Sequence, residues 1–309
     1  MPSLNTLARG AILAAAQNRT TKAFMNRYGM RLGASRFVAG ETLDQCVAVI
    51  RGLNQQGFKC NATLLGEAVT SAADADRAVA EYRGLIQRLQ AEALNCNVAI
   101  KLTLMGLDLG EQVAEENMVT LLQFAAQMGM TMRIDMEDSS HVPATLAIYR
   151  RLRERGCDNV GAVLQSCLRR SVADLEALLP LAPNLRLVKG AYLESREVAF
   201  PEKAEVDRKY LQLIEMALEG AGYTAIATHD QRMIRHSIEF AERKHIDRDR
   251  FEFQMLYGIR PQLQRELLQE GYTVLVATCY GTHWYPFFMR RLAERPANVL
   301  FLARNLVRR

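Results

Sequence analysis

Short β-rich runs recur along this chain with helix-length segments between them, and that rhythm restricts the fold more than any single motif does. The runs are "CNATLL" (Cys60 to Leu65), "NVAIKLT" (Asn97 to Thr103), "TMRIDM" (Thr131 to Met136) and "NVGAVLQ" (Asn159 to Gln165). Four more follow: "LRLVKG" (Leu185 to Gly190), "YTAIAT" (Tyr223 to Thr228), "FEFQM" (Phe251 to Met255) and "YTVLVA" (Tyr272 to Ala277). Between the first two, Val79, Tyr82, Leu85, Ile86 and Leu89 recur at the spacing of one helix face. Gly220 and Gly222 follow "KYLQLIEMALE" as a helix stop, and Tyr223 opens the next run. Eight strands alternating with helices over roughly 220 residues predict an α/β fold of the (βα)8 barrel type, which typically takes about 250. A doubly wound open sheet is the alternative; it usually carries a glycine-rich first turn, and no GxGxxG is present.

With 309 residues and 49% hydrophobic content the chain can bury a large core. Residues 1–55 read as a helical segment packed on the main body, because no low-complexity linker separates them from the barrel over 56–309. The run "AILAAA" (Ala11 to Ala16) is too short to span a membrane and is read as part of an amphipathic helix. Six cysteines lie far apart without a CxxC pair, so neither a zinc site nor a disulfide framework is signalled. A reducing, cytoplasmic setting is the default. The net charge of +5 comes without a nucleic-acid motif, so nucleic acid is set aside and a solvated basic surface is the plainer reading.

In a barrel the chemistry is built at the C-terminal ends of the strands. Polar residues recur there: Glu67 past the first run, Lys101 and Thr103 on the second, Asp135 and Glu137 on the third, and Gln165 ending the fourth. Lys189 and Tyr192 follow on the fifth, Thr228 and His229 on the sixth, and Gln254 on the seventh. One such residue is more often structural, but this many on one rim favour a ligand site.

The stretch "RLVKGAYLES" (Arg186 to Ser195) sharpens the point. A period of two puts Arg186 and Val188 on one face of the strand and Leu187 and Lys189 on the other. An unpaired buried guanidinium costs several kcal/mol, so Arg186 needs a carboxylate partner or a bound polar ligand. In "YPFFMRRLAERP" (Tyr285 to Pro296), a helix ends near Glu294 ahead of Pro296. Arg290 and Glu294 share a face of it, leaving Arg291 to reach elsewhere. Two adjacent arginines near a barrel mouth suit bidentate capture of a carboxylate, with a solvated helix face as the plain alternative.

Taken in order, "LLGE", "IKLT", "RIDMEDS", "VLQSCLRRS", "RLVKGAYLES", "ATHD", "FEFQMLYGIR" and "RRLAE" resemble proline dehydrogenase, a family of FAD enzymes that oxidise L-proline. The resemblance implies a distorted (βα)8 TIM-like barrel. It implies that Arg186 lies beside the flavin N5 and supports negative charge there as hydride arrives. Ile134, Gln165, Val188, Lys189, Gly190, Ala191, Thr228 and His229 would bind FAD with it. Lys101, Arg290 and Arg291 would grip the proline carboxylate; the helix spacing lets Glu294 hold the Arg290 guanidinium in place. Asp135 would position Lys101 and the flavin surroundings, Tyr192 and Leu256 would wall the ring, and Glu67 would meet Arg291 as a gate. The implied product is Δ1-pyrroline-5-carboxylate. The implied partners are a quinone acceptor, a Δ1-pyrroline-5-carboxylate dehydrogenase, and a peripheral contact with the inner face of a membrane.

Three positions depart from the family pattern: Phe287 and Ala277 stand where tyrosines are usual, and Cys167 where an aromatic is common. Losing an aromatic wall loosens the ring by about 1–3 kcal/mol if nothing fills the gap. Rival readings are an aldolase-type Schiff-base lyase using Lys189 or Lys101, and a hydrolase with a metal on Asp135, Asp138, His141, His229 and His283. The metal reading lacks an HxH or HExxH pair, and no metal is expected. A catalytically weakened proline-binding flavoprotein is the third.

Overall fold

The computed structural model describes residues 25, 28–30, 33–66 and 68–294, with backbone alone for 292–294. Glu67, the side chain of Glu294, and most of the N-terminal segment, including "AILAAA", lie outside the described residues.

Eight parallel strands close into a barrel in sequence order: β1 (Lys59–Leu64), β2 (Cys96–Ile100), β3 (Met132–Ile134), β4 (Val160–Gln165), β5 (Asn184–Val188), β6 (Tyr223–Ala227), β7 (Phe251–Leu256) and β8 (Val274–Tyr280). The helices are α1 (Leu43–Asn54), α2 (Ala72–Ala91), α3 (Glu111–Gln127), α4 (Val142–Glu154), α5 (Ser171–Leu178), α6 (Lys203–Glu219), α7 (Gln231–Arg243), α8 (Pro261–Gln269) and α9 (Trp284–Glu294). Each predicted run falls on one strand. Several strands end early, because the chain turns as soon as ladder partners run out. After Ile100 the amide of Leu104 already bonds the carbonyl of Lys101, so Lys101 and Thr103 belong to a turn above β2. Likewise β3 stops before Asp135 and β5 before Lys189.

The outward faces of the strands are apolar. Val98, Ile100, Ile134, Leu164, Leu187, Ile226 and Phe253 join one buried cluster with Leu85, Ile86 and Leu89 of α2. Each fully buried aliphatic or aromatic side chain contributes about 1.5–3 kcal/mol. The barrel interior is different. Asn61, Asn97, Arg133, Asn184, Arg186 and Gln254, from five strands, line one small cavity of about 10 Å³. Such an interior usually holds layers of branched apolar residues. Here large polar side chains occupy room left by Ala99, Gly161, Ala225, Ala227 and Ala277. Gly161 shows why: a Cβ there would stand 3.0 Å from Nη1 of Arg133 and 2.8 Å from the carbonyl of Asn184. Across it Arg133 donates to the carbonyls of Ala162 and Asn184 and to Oδ1 of Asn184.

The N-terminal side of the chain rearranges the last barrel position. Thr42 and Gln45 form a reciprocal capping box that starts α1, and α1 packs on β1 and β8. With that flank covered, α9 lies over the C-terminal rim. Its Trp284, Tyr285, Phe288 and Met289 cluster with Ala34, Phe37 and Val38, with Leu65 just past β1, and with Cys279 near the end of β8. The indole of Trp284 donates to Glu41 at 2.9 Å, tying α9 to the segment ahead of α1.

Candidate active site

Arg186 points into the barrel from the middle of β5. Its Nη1 donates to Oδ1 of Asp135 at 2.6 Å and its Nε to Oε1 of Gln254 at 2.6 Å. The partner demanded by a buried guanidinium is therefore a carboxylate from above β3 and an amide from β7. Asp135 is itself set by its backbone, whose amide donates to the carbonyl of Ile100. Deeper in the barrel, burial first and the neighbouring charge of Arg186 next pull the Arg133 guanidinium down to about 10, against the charges of Glu252 and Asp135.

On the rim, Lys101 is half-buried and makes no ion pair with a carboxylate among the described residues. Glu137, by contrast, is occupied: the amide and hydroxyl of Thr103 donate to its two oxygens at 3.1 and 2.7 Å. Gln165 donates from Nε2 to the carbonyl of Glu137, but its buried Oε1 meets no donor. An orphaned acceptor of that kind fits a bound polar group. Nearby, Gly190 has φ 104°, and a Cβ there would stand 2.3 Å from Sγ of Cys167. The backbone at 190 therefore approaches Cys167 as only glycine allows.

Val188 and Lys189 hold the β4–α5 turn through their carbonyls, which accept from the amides of Ser166 and Cys167. The Lys189 ammonium turns away from the interior to Asp207 on α6, at 2.5 Å, and to Asp230, at 3.4 Å. A lysine committed to two carboxylates lacks the free amine that a Schiff base needs. Ile134 is fully buried in the apolar layer outside the barrel, so only its backbone faces the rim. Thr228 is buried and its hydroxyl accepts from the amide of Asp230. Nε2 of His229 accepts from the amide of Leu256 at 2.9 Å, which puts the ring proton on Nδ1. Leu256 thus ends β7 beside His229, and Ala191 follows Gly190 on the rim.

The far side of the mouth is reached by α9. Arg290 lies over the Tyr192 ring, 5.8 Å from its centre, and Arg291 over Phe287 at 5.3 Å. Phe287, at a departure from the family pattern, thus supports an arginine. Burial pushes the Tyr192 phenol up to about 12, against the charge of Arg290. Among the rival metal ligands, His141 bridges Asp108 and Asp138 at 2.9 and 3.1 Å. No group of three or more His, Cys, Asp or Glu among the described residues could hold a metal.

The residues that sequence reasoning missed are Arg133, Asn184, Tyr223 and Glu252. Their signal was the period of two, which puts Arg133 with Asp135 and Glu252 with Gln254 on single faces.

Comparison with known proteins bears on what this rim does. The proline dehydrogenase family model matches residues 46–304. The chain belongs to the proline dehydrogenase family. It is 42% identical to proline dehydrogenase 1 of Bacillus subtilis over 98% of this chain and 100% of the relative. It is 38% identical to the proline dehydrogenase of Deinococcus radiodurans over 99% of each. Among solved structures, proline utilization A of Bdellovibrio bacteriovorus, inactivated by N-propargylglycine, aligns with a TM-score of 0.79 at 22% identity. That alignment covers 91% of this chain and 38% of the longer protein, and it shows the shared fold. Membership makes the chain an oxidoreductase of proline catabolism that oxidises proline in its first step. The family is flavin-dependent in general. No helix among the described residues is long and apolar enough to cross a membrane.

Proposed function

We propose that the chain oxidises L-proline to Δ1-pyrroline-5-carboxylate with FAD as its cofactor. The observation that carries the reading is Arg186, fixed between Asp135 and Gln254 where the barrel interior meets the rim. The orphaned Oε1 of Gln165 and the exposed glycine backbone at Gly190 suit the cofactor. Arg186, Gln165, Gly190, Ala191 and Thr228 would hold it, with Val188, Lys189 and Ile134 contributing backbone and His229 the end of β6. Bound FAD supplies the two-electron acceptor for the hydride removed from the ring carbon next to nitrogen.

The chain's own residues do the rest. Arg186 supplies a fixed positive charge where negative charge develops, and Asp135 keeps that guanidinium from swinging. Lys101, Arg290 and Arg291 bind the substrate carboxylate, and their combined charge favours the neutral amine that the oxidation requires. Tyr192 and Leu256 close on the apolar ring. Glu67 pairs with Arg291 as a gate, and Glu294 steadies Arg290. Residues 56–309 work as one catalytic barrel on which the segment 1–55 packs. Electrons leave to a quinone, the product passes to a Δ1-pyrroline-5-carboxylate dehydrogenase, and the protein works in the cytoplasm against the inner face of the membrane.

The test is an anaerobic titration of the purified protein with L-proline. Stoichiometric bleaching of an FAD absorbance band is the expected result; an unchanged band overturns the reading.

A further inference from the structure

The cation assigned to the reaction is not held by its immediate partners alone. Gln254 presents Oε1 to Nε of Arg186, and its Nε2 donates to Oε1 of Glu252 at 2.6 Å. The second carboxylate oxygen accepts from the hydroxyl of Tyr223 at 3.0 Å. Glu252 and Gln254 are both 3% exposed, so neither can exchange its partner for bulk water. A guanidinium only donates and a carboxylate only accepts. Turning the amide over would set its NH2 against the guanidinium and its oxygen against the carboxylate, so Glu252 dictates which end of Gln254 meets Arg186.

The backbone makes this reach possible. In register, Arg186 of β5 pairs with Ala225 of β6, Ala225 with Glu252 of β7, and Ala227 with Gln254. At the level of Arg186 and Gln254 the intervening strand offers only the methyl groups of Ala225 and Ala227 inward, and the amide crosses that gap to the guanidinium. Charge closes as well, with Asp135 and Glu252 against Arg186 and Arg133 inside one barrel.

We propose that Glu252 is a positioning residue for proline oxidation: through Gln254 it orients the Arg186 guanidinium from two strands away. The proposal rests on the reading of Arg186 given above. It predicts a relay, in which Glu252 matters only while Gln254 is present.

The experiment uses the FAD-loaded protein and a cycle of Glu252→Gln, Gln254→Met and the double variant, with Arg186→Met as reference. Two quantities are read: the limiting rate of flavin reduction by L-proline, separated from the half-saturating concentration, and the midpoint potential of the bound flavin. Loss of one oriented donor slows such steps by about 10²–10³-fold, so Arg186→Met sets that scale and Glu252→Gln falls at about a tenth of it or more. The half-saturating concentration changes by less than about 3-fold, because ground-state binding is untouched. The potential moves in the same direction in both variants. The double variant matches Gln254→Met in rate and potential, since coupled residues do not add. Multiplicative losses, or a Glu252→Gln protein like the parent while Arg186→Met is impaired, overturn the proposal alone. An unimpaired Arg186→Met overturns both it and the reading beneath it. Should Glu252→Gln not fold, Glu252→Asp keeps the charge but shortens the reach, and the same cycle is read with it.

Discussion

The guanidinium of Arg290 on α9 stacks on the ring of Tyr192, beyond β5, and so joins opposite sides of the barrel mouth. A cation over an aromatic face contributes about 0.5–2 kcal/mol. Removing the ring by Tyr192→Ala should therefore raise the half-saturating proline concentration about 2- to 30-fold. Tyr192→Phe keeps the ring and should stay within about 2-fold. Steady-state kinetics on the pair checks this, and an alanine variant that behaves like its parent would remove Tyr192 from the substrate site.

The Arg291 guanidinium lies over the ring of Phe287, 5.3 Å from its centre. Losing one partner of a desolvated charge pair costs about 2–5 kcal/mol, so Arg291→Ala should raise the proline requirement about 30-fold or more. Bound flavin should be retained. Arg291→Lys should recover only part of the loss, because an ammonium cannot bind a carboxylate bidentately. Flavin content and proline dependence, measured on both variants, separate this from a folding defect.

Gly190 is constrained twice, by a positive φ and by the Cys167 sulfur. Gly190→Ala should lower the flavin content of the purified protein. Adding Cys167→Ala relieves the clash but not the backbone strain of about 1–2 kcal/mol, so recovery should be partial. Full recovery in the double variant would show that sterics alone govern the position.

Asp230 offers a test by pH. Burial opposes its ionisation, but hydrogen bonds from the Arg232 side chain and backbone and the charge of Lys189 outweigh it and bring the carboxyl down to about 2. An unfolded aspartate titrates near about 3.9, so this group's contribution is complete above that value and disappears as pH falls through the folded one. Thermal melts should show stability falling between about pH 4 and pH 2. Asp230→Asn keeps the cap on α7 and should flatten that slope. An equal slope in both proteins would assign the acid sensitivity elsewhere.

Much of this was legible in the chain itself. The eight β-rich runs, their apolar outward faces and the requirement that Arg186 have a partner all follow from local spacing and the cost of burying charge. Less legible was the fate of Lys189, which alternation sends to the face opposite Arg186 without revealing that Asp207 and Asp230 wait there.

Sequence by itself therefore determined the barrel, its strand order and the rim on which polar residues gather, because periodicity and ladder pairing act between near neighbours. Only the tertiary structure decided that Gln254 bridges Glu252 to Arg186 across the alanines of β6. It also placed α1 against β1 and β8, leaving α9 to reach Tyr192. Those contacts depend on how closure of the sheet brings β5 and β7 to hydrogen-bonding reach, and no local pattern in a linear chain encodes that distance.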